Sequence, residues 1–119
     1  MRFILFTLLS VSFLFSQTLI DESNFNDKLN EDIVVIEFFA EWNKDNCVDL
    51  SKFKEVSTYM VKVEECPNLT SKYKVVSVPT VIIFYNKEEV ERYEADLSFK
   101  LSIKDACKKT EELVLKKFM

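Results

Sequence analysis

The chain has 119 residues, with 16 lysines and arginines against 20 aspartates and glutamates, a formal net charge of −4, and neither histidine nor glycine. An acidic chain whose longest basic stretch is a Lys-Lys pair gives a phosphate backbone nothing to hold, which argues against nucleic acid and, equally, against anionic membrane surfaces. Without histidine there is no Ser-His or Cys-His nucleophile pair and the commonest metal ligand is missing; without glycine there is no phosphate-cradling loop or dinucleotide fingerprint, so no metal and no cofactor is expected.

Met1 to Ser16 places Arg2 ahead of a mostly apolar run, Phe3 to Phe15, and then a small residue. That is the pattern of a secretory signal peptide cleaved after Ser16, too short to cross a bilayer as a stable helix; the alternative is an uncleaved anchor. Residues 17–119 then form one domain with a single core, not membrane-bound once the leader is removed.

Thr18 to Ile20 reads as a short first strand, and Asp21 or Ser23 is placed to cap a helix whose buried stripe is Phe25 and Leu29. Ile33 to Phe39 is a run of β-branched and aromatic residues interrupted only by Glu37. Such a run suits a central strand covered on both faces. Alternation puts Glu37 on the face of Ile33, Val35 and Phe39, where burial raises its pKa and calls for a partner; an edge strand would instead leave it in water.

Asn43 to Asn46 supplies capping side chains for a predicted helix carrying Cys47, Leu50 and Phe53, as far as Val56 or Ser57. Tyr59 to Val63 is the next strand, followed by a brief helix through Tyr73. Asn68-Leu69-Thr70 is a glycosylation acceptor pattern, meaningful only if a leader sends the chain past the enzyme that reads it. Pro79 opens a strand over Thr80 to Tyr85, Asn86-Lys87 turns the chain, and Val90 to Tyr93 pairs back as a hairpin. Ser102 and Asp105 form an S-x-x-D variant of the capping box ahead of a last helix with Ile103, Ala106, Cys107, Thr110, Leu113, Val114 and Phe118 on one stripe. The order implies an α/β fold, a mixed sheet with helices on both faces.

Leu19 to Phe25, Val34 to Trp42, Ser71 to Val75 and Val78 to Phe84 together resemble a thioredoxin-type domain, and the glutamate within the strand makes the chain similar to the protein disulfide isomerases. The resemblance runs from Thr18 to Lys117 and implies the thioredoxin fold. In that family the tryptophan is followed by Cys-x-x-Cys at the start of a helix, longer than the one predicted here and kinked by a proline that this chain lacks. The matching positions are Asn43 and Asn46, which cannot attack or resolve a disulfide, so dithiol exchange in the family's manner is not available.

Cys47, one position further on, is the nearest substitute. In the first turn of the predicted helix its pKa would be lowered if exposed, giving a monothiol site or a resolving position displaced by one residue. The alternatives are a small apolar residue packed beneath the helix, or half of a bridge to Cys66. Cys107 reads as a core thiol. In the dithiol enzymes the residue matching Glu37 handles the resolving cysteine's proton; here Glu37 is a candidate proton acceptor for Cys47, or a relic. The resemblance also makes the Val78–Pro79 bond cis and the backbone of Val78 a pairing edge for extended clients, so Trp42, Val78, Pro79 and Thr80 are the expected peptide-binding residues. The alternative is a trans proline and a core tryptophan.

The resemblance thus implies a redox-inactive domain of the endoplasmic reticulum lumen, or secreted, that binds polypeptide clients or a partner protein or assists folding without catalysis. A monothiol oxidoreductase using Cys47 and a secreted interaction protein using the fold as a scaffold are the alternatives. The sequence ends without a retention tetrapeptide of the Lys-Asp-Glu-Leu kind, so residence in the lumen would need a partner.

Overall fold

The computed structural model describes residues 18–118, and the expected leader lies outside them. Five strands, β1 (Leu19–Ile20), β2 (Ile33–Phe39), β3 (Ser57–Lys62), β4 (Thr80–Tyr85) and β5 (Glu88–Glu94), form one sheet in the order β1-β3-β2-β4-β5. β3 runs parallel to β1 and β2, whereas β4 is antiparallel to both β2 and β5. Helices α1 (Phe25–Lys28), α2 (Pro67–Lys72) and α3 (Lys104–Lys117) complete the chain.

β2 is central, and all seven of its residues are buried because each face is covered. One face holds Val34, Ile36 and Phe38 with Ile82 and Phe84 of β4, closed by Phe25 of α1 and Leu69 of α2. The other holds Ile33, Val35 and Phe39 with Val81 and Ile83, closed by Ala106, Leu113 and Val114 of α3. The expected mixed sheet with helices on both faces is what the chain forms.

Local signals hold unevenly. Asp21 Oδ1 accepts from the N–H groups of Ser23 and Asn24, but α1 is a single turn. Glu22 does more, accepting at 2.6 and 3.1 Å from the backbone N–H groups of Asn68 and Leu69, orphan donors of the first turn of α2. The box expected at Ser102 and Asp105 does not form: α3 begins one residue later, Ile103 takes the cap position, and Ser102 Oγ only accepts a long 3.4 Å bond from Lys104 N. Phe118, expected on the buried stripe, is 75 % exposed, standing at the C-cap just past the last turn of α3.

The glycine-free chain must place side-chain-bearing residues in the left-handed region. Among the described residues Glu55, Lys74, Asn86, Lys87 and Phe99 have φ of 63°, 53°, 51°, 73° and 59°. Asn86 and Lys87 are consecutive, as a two-residue hairpin turn requires. β5 is an open edge with four outward glutamates, Glu88, Glu89, Glu91 and Glu94. Its Arg92 donates to Glu89 and to the carbonyls of Tyr73 and Lys74, tying this edge to the end of α2.

The largest departure follows β2. No α-helix carries Cys47, Leu50 and Phe53; two short 3₁₀ turns, Glu41–Asn46 and Leu50–Lys52, stand there instead. The chain is pulled open between them because Val48 N–H donates to the buried Glu37 carboxylate at 2.9 Å, and Cys47 is extended, with φ −58° and ψ 144°. Asp49 Oδ1 then accepts from Ser51 N–H and caps only the three-residue turn.

Candidate functional site

The site lies at the end of the sheet where β2 delivers the chain into the first 3₁₀ turn. Asn43 N–H donates to Ala40 O at 3.0 Å, which curls the turn back over the end of the strand and buries Asn43 while leaving Trp42 66 % exposed. Trp42 stands edge-to-face with Phe99, ring centroids 5.2 Å apart and planes at 88°. Beside this pair opens a groove of about 220 Å³ lined by Ala40, Trp42, Val63, Val75, Val76, Val78 and Phe99 with two hydroxyl residues, Thr70 and Ser77.

The Val78–Pro79 peptide is cis. Val78 and Pro79 are buried beside the groove. Thr80, grouped with them in the expected peptide edge, is wholly buried and donates from Oγ1 to Ser77 O at 2.7 Å. The Val78 carbonyl accepts from Asn43 Nδ2 at 3.2 Å in a buried bond, so half of the backbone edge expected to meet a client is used within the protein. Asn43 Nδ2 also donates to Phe99 O at 3.1 Å, and Asn43 Oδ1 accepts from Asn46 Nδ2 at 2.7 Å.

On the opposite side of the loop, Glu37 is fully buried. Oε2 accepts the Val48 bond, Oε1 has no partner of good geometry, and the Cys47 thiol lies beside the carboxyl. Burial raises the Glu37 pKa to about 7, against the lowering effect of Val48 N–H and the thiol. Burial, and then the neighbouring carboxylate, push the Cys47 thiol up to about 12. The expected lowering of the Cys47 pKa is therefore reversed: there is no helix terminus to stabilise the anion, and a carboxylate stands where the thiolate would form.

Cys47, Cys66 and Cys107 are all free thiols. Cys66 is buried with the α1 and α2 face, whereas Cys47 packs against the α3 face, so the sheet separates the pair considered for a bridge. Cys47 and Cys107 instead line one cleft of about 550 Å³ between the 3₁₀ turns and the start of α3. Asn68 is exposed on the first turn of α2, its Nδ2 donating to Glu22 Oε1 at 3.1 Å.

A buried carboxylate under the loop, an exposed tryptophan and a facing cis-proline on this sheet order make the geometry of one family. A thioredoxin family model matches residues 16–109. The chain belongs to the thioredoxin family. The thioredoxin of Chlamydia trachomatis is 33 % identical over 81 residues, 61 % of this chain and 78 % of the relative. Plasmodium falciparum thioredoxin superposes with a TM-score of 0.62 at 20 % identity, over 77 % of this chain and 97 % of that one. Human ERp44 superposes with a TM-score of 0.61 at 18 % identity, over 82 % of this chain and 29 % of that one. The sequence of this thioredoxin-family chain contains no Cys-x-x-Cys. Phe99 and Val76 are groove residues that the sequence reading missed, although Leu97 and Phe99 in an otherwise polar loop were a signal of exposed apolar surface.

Proposed function

We propose that this thioredoxin-family chain is a secretory-pathway domain similar to a protein disulfide isomerase module without the dithiol, and that it binds extended polypeptide segments without redox chemistry. The observation that carries the reading is the apolar, open groove that Trp42 and Phe99 line together, beside dithiol positions held by Asn43 and Asn46. Val76, 83 % exposed, and Leu97, 94 % exposed, extend the apolar surface, which suits the side chains of an unfolded client. The monothiol alternative is disfavoured, because a Cys47 thiol raised to about 12 is almost wholly protonated at neutral pH and the thiolate is the nucleophile. The Met1 to Ser16 pattern supports the secretory placement, which N-terminal sequencing of secreted protein would test.

The functional test pairs two assays on the mature chain. Reduction of insulin by dithiothreitol is expected to run at the uncatalysed rate, while labelled unfolded peptides bind and Trp42→Ala weakens that binding about tenfold, the scale of a truncated aromatic anchor. Catalysed reduction that disappears in Cys47→Ser would overturn the reading in favour of the monothiol enzyme. Absence of any peptide binding would leave the fold as a scaffold only.

A further inference from the structure

We infer that Asn43 and Asn46 form a redox-independent clamp, in which Asn43 is the positioning residue that fixes the wall of the groove. Asn43 donates both Nδ2 hydrogens, one to Val78 O at 3.2 Å and one to Phe99 O at 3.1 Å, and so ties the β2 loop to the proline loop and to the segment between β5 and α3. Those partners are 35 and 56 residues away in sequence. Its Oδ1 accepts from Asn46 Nδ2 at 2.7 Å, which fixes the amide plane and prevents the flip that would turn an acceptor toward the two carbonyls.

A thiol at position 43 could not do this. It offers one weak donor, whereas bonding both carbonyls, the buried one of Val78 and the part-buried one of Phe99, takes two N–H groups. The asparagines therefore perform a task of their own, a side-chain bond between the two positions that no reductant breaks. Its consequence falls on Phe99, whose φ of 59° is costly for a residue with a side chain and whose ring forms one lip of the groove. Holding the Phe99 carbonyl holds that backbone, and with it the edge-to-face contact with Trp42.

The inference rests on the proposed function for what the groove is used for, and the test separates the two. Trp42 is the chain's single tryptophan, so its emission and quenching by acrylamide report the lip directly. Asn43→Ala and the near-isosteric Asn43→Asp, which lacks donors, are expected to raise amide exchange over Ser98 to Leu101 about tenfold and to increase Trp42 quenching. Asn46→Ala, which leaves both Asn43 donors in place, is expected to do so about threefold. Dithiothreitol added to the unsubstituted protein is expected to change neither signal. Unchanged exchange in folded Asn43→Ala, or in Asn46→Ala should the first variant not fold, would overturn the clamp, as would loosening by dithiothreitol. Absence of peptide binding by the unsubstituted protein would sink the binding reading and leave these exchange measurements to decide the clamp alone.

Discussion

Glu37→Gln isolates the physical cost of the buried carboxylate. In the folded chain Glu37 titrates at about 7, raised from 4.5 chiefly by burial. A raised carboxyl means the folded state holds its proton where the unfolded chain has released it, so stability is full below about pH 4.5 and falls as pH rises through about 7. Each pH unit in that window is worth about 1.4 kcal/mol, so complete titration removes about 3 kcal/mol. That is a large part of the ~5–15 kcal/mol a small domain has. The chain has no histidine, which leaves this window free of other side chains that normally titrate there. Urea unfolding at pH 5, 6, 7 and 8 reads the effect as a midpoint that falls by roughly 1–3 M for the unsubstituted protein, given the usual slope for small domains. The amide introduced by Glu37→Gln keeps an acceptor for Val48 N–H and carries no charge, so the variant's midpoint should be flat from pH 5 to 8 and lie above the parent's at pH 8. A parent whose midpoint does not move over that range, or a Glu37→Gln variant that falls in parallel with it, would refute the assignment of the cost to this carboxyl.

The same substitution should speed alkylation of Cys47, since the carboxylate beside the thiol contributes to its raised pKa; rates followed by mass spectrometry against pH should shift to lower pH in Glu37→Gln, and equal profiles would argue that burial alone protects the thiol. Lys87, at φ 73° in the β4–β5 turn, bears a side chain where glycine is at ease. Lys87→Gly should stabilise the protein by roughly 1 kcal/mol in urea, the scale of the left-handed penalty for a residue with a Cβ.

The strands were legible because the information for them is local. Ile33 to Phe39, broken only by Glu37, and Thr80 to Tyr85 are β-forming runs, and the buried glutamate declared itself by being the one charged residue in the first. The helix expected after Asn46 was not legible in the same way. Its periodic apolar residues, Leu50 and Phe53, are buried as read, but a tertiary bond from Val48 to Glu37 opens the backbone that would have carried them as a helix. The lowered pKa expected of an exposed Cys47 failed with it, since it depended on a helix terminus that does not exist, whereas the alternative of a packed thiol agrees with its packing against the core. The alternative of a Cys47–Cys66 bridge failed for a different reason: Cys66 takes the N-cap of α2, and spacing does not tell which face of the sheet that helix covers. The role of Asn43 was out of reach altogether: its partners are backbone carbonyls, which any residue supplies, from loops far along the chain.

The open edge of β5 bears on how copies of this molecule meet. An exposed strand with free backbone groups is an invitation to a second copy. Antiparallel pairing of two such edges would bring four glutamates from each into one ladder, Glu88, Glu89, Glu91 and Glu94, with a single arginine already engaged by Glu89 to answer them. At neutral pH like charges opposed across strands repel, so the edge discourages self-assembly by carboxylate repulsion alone.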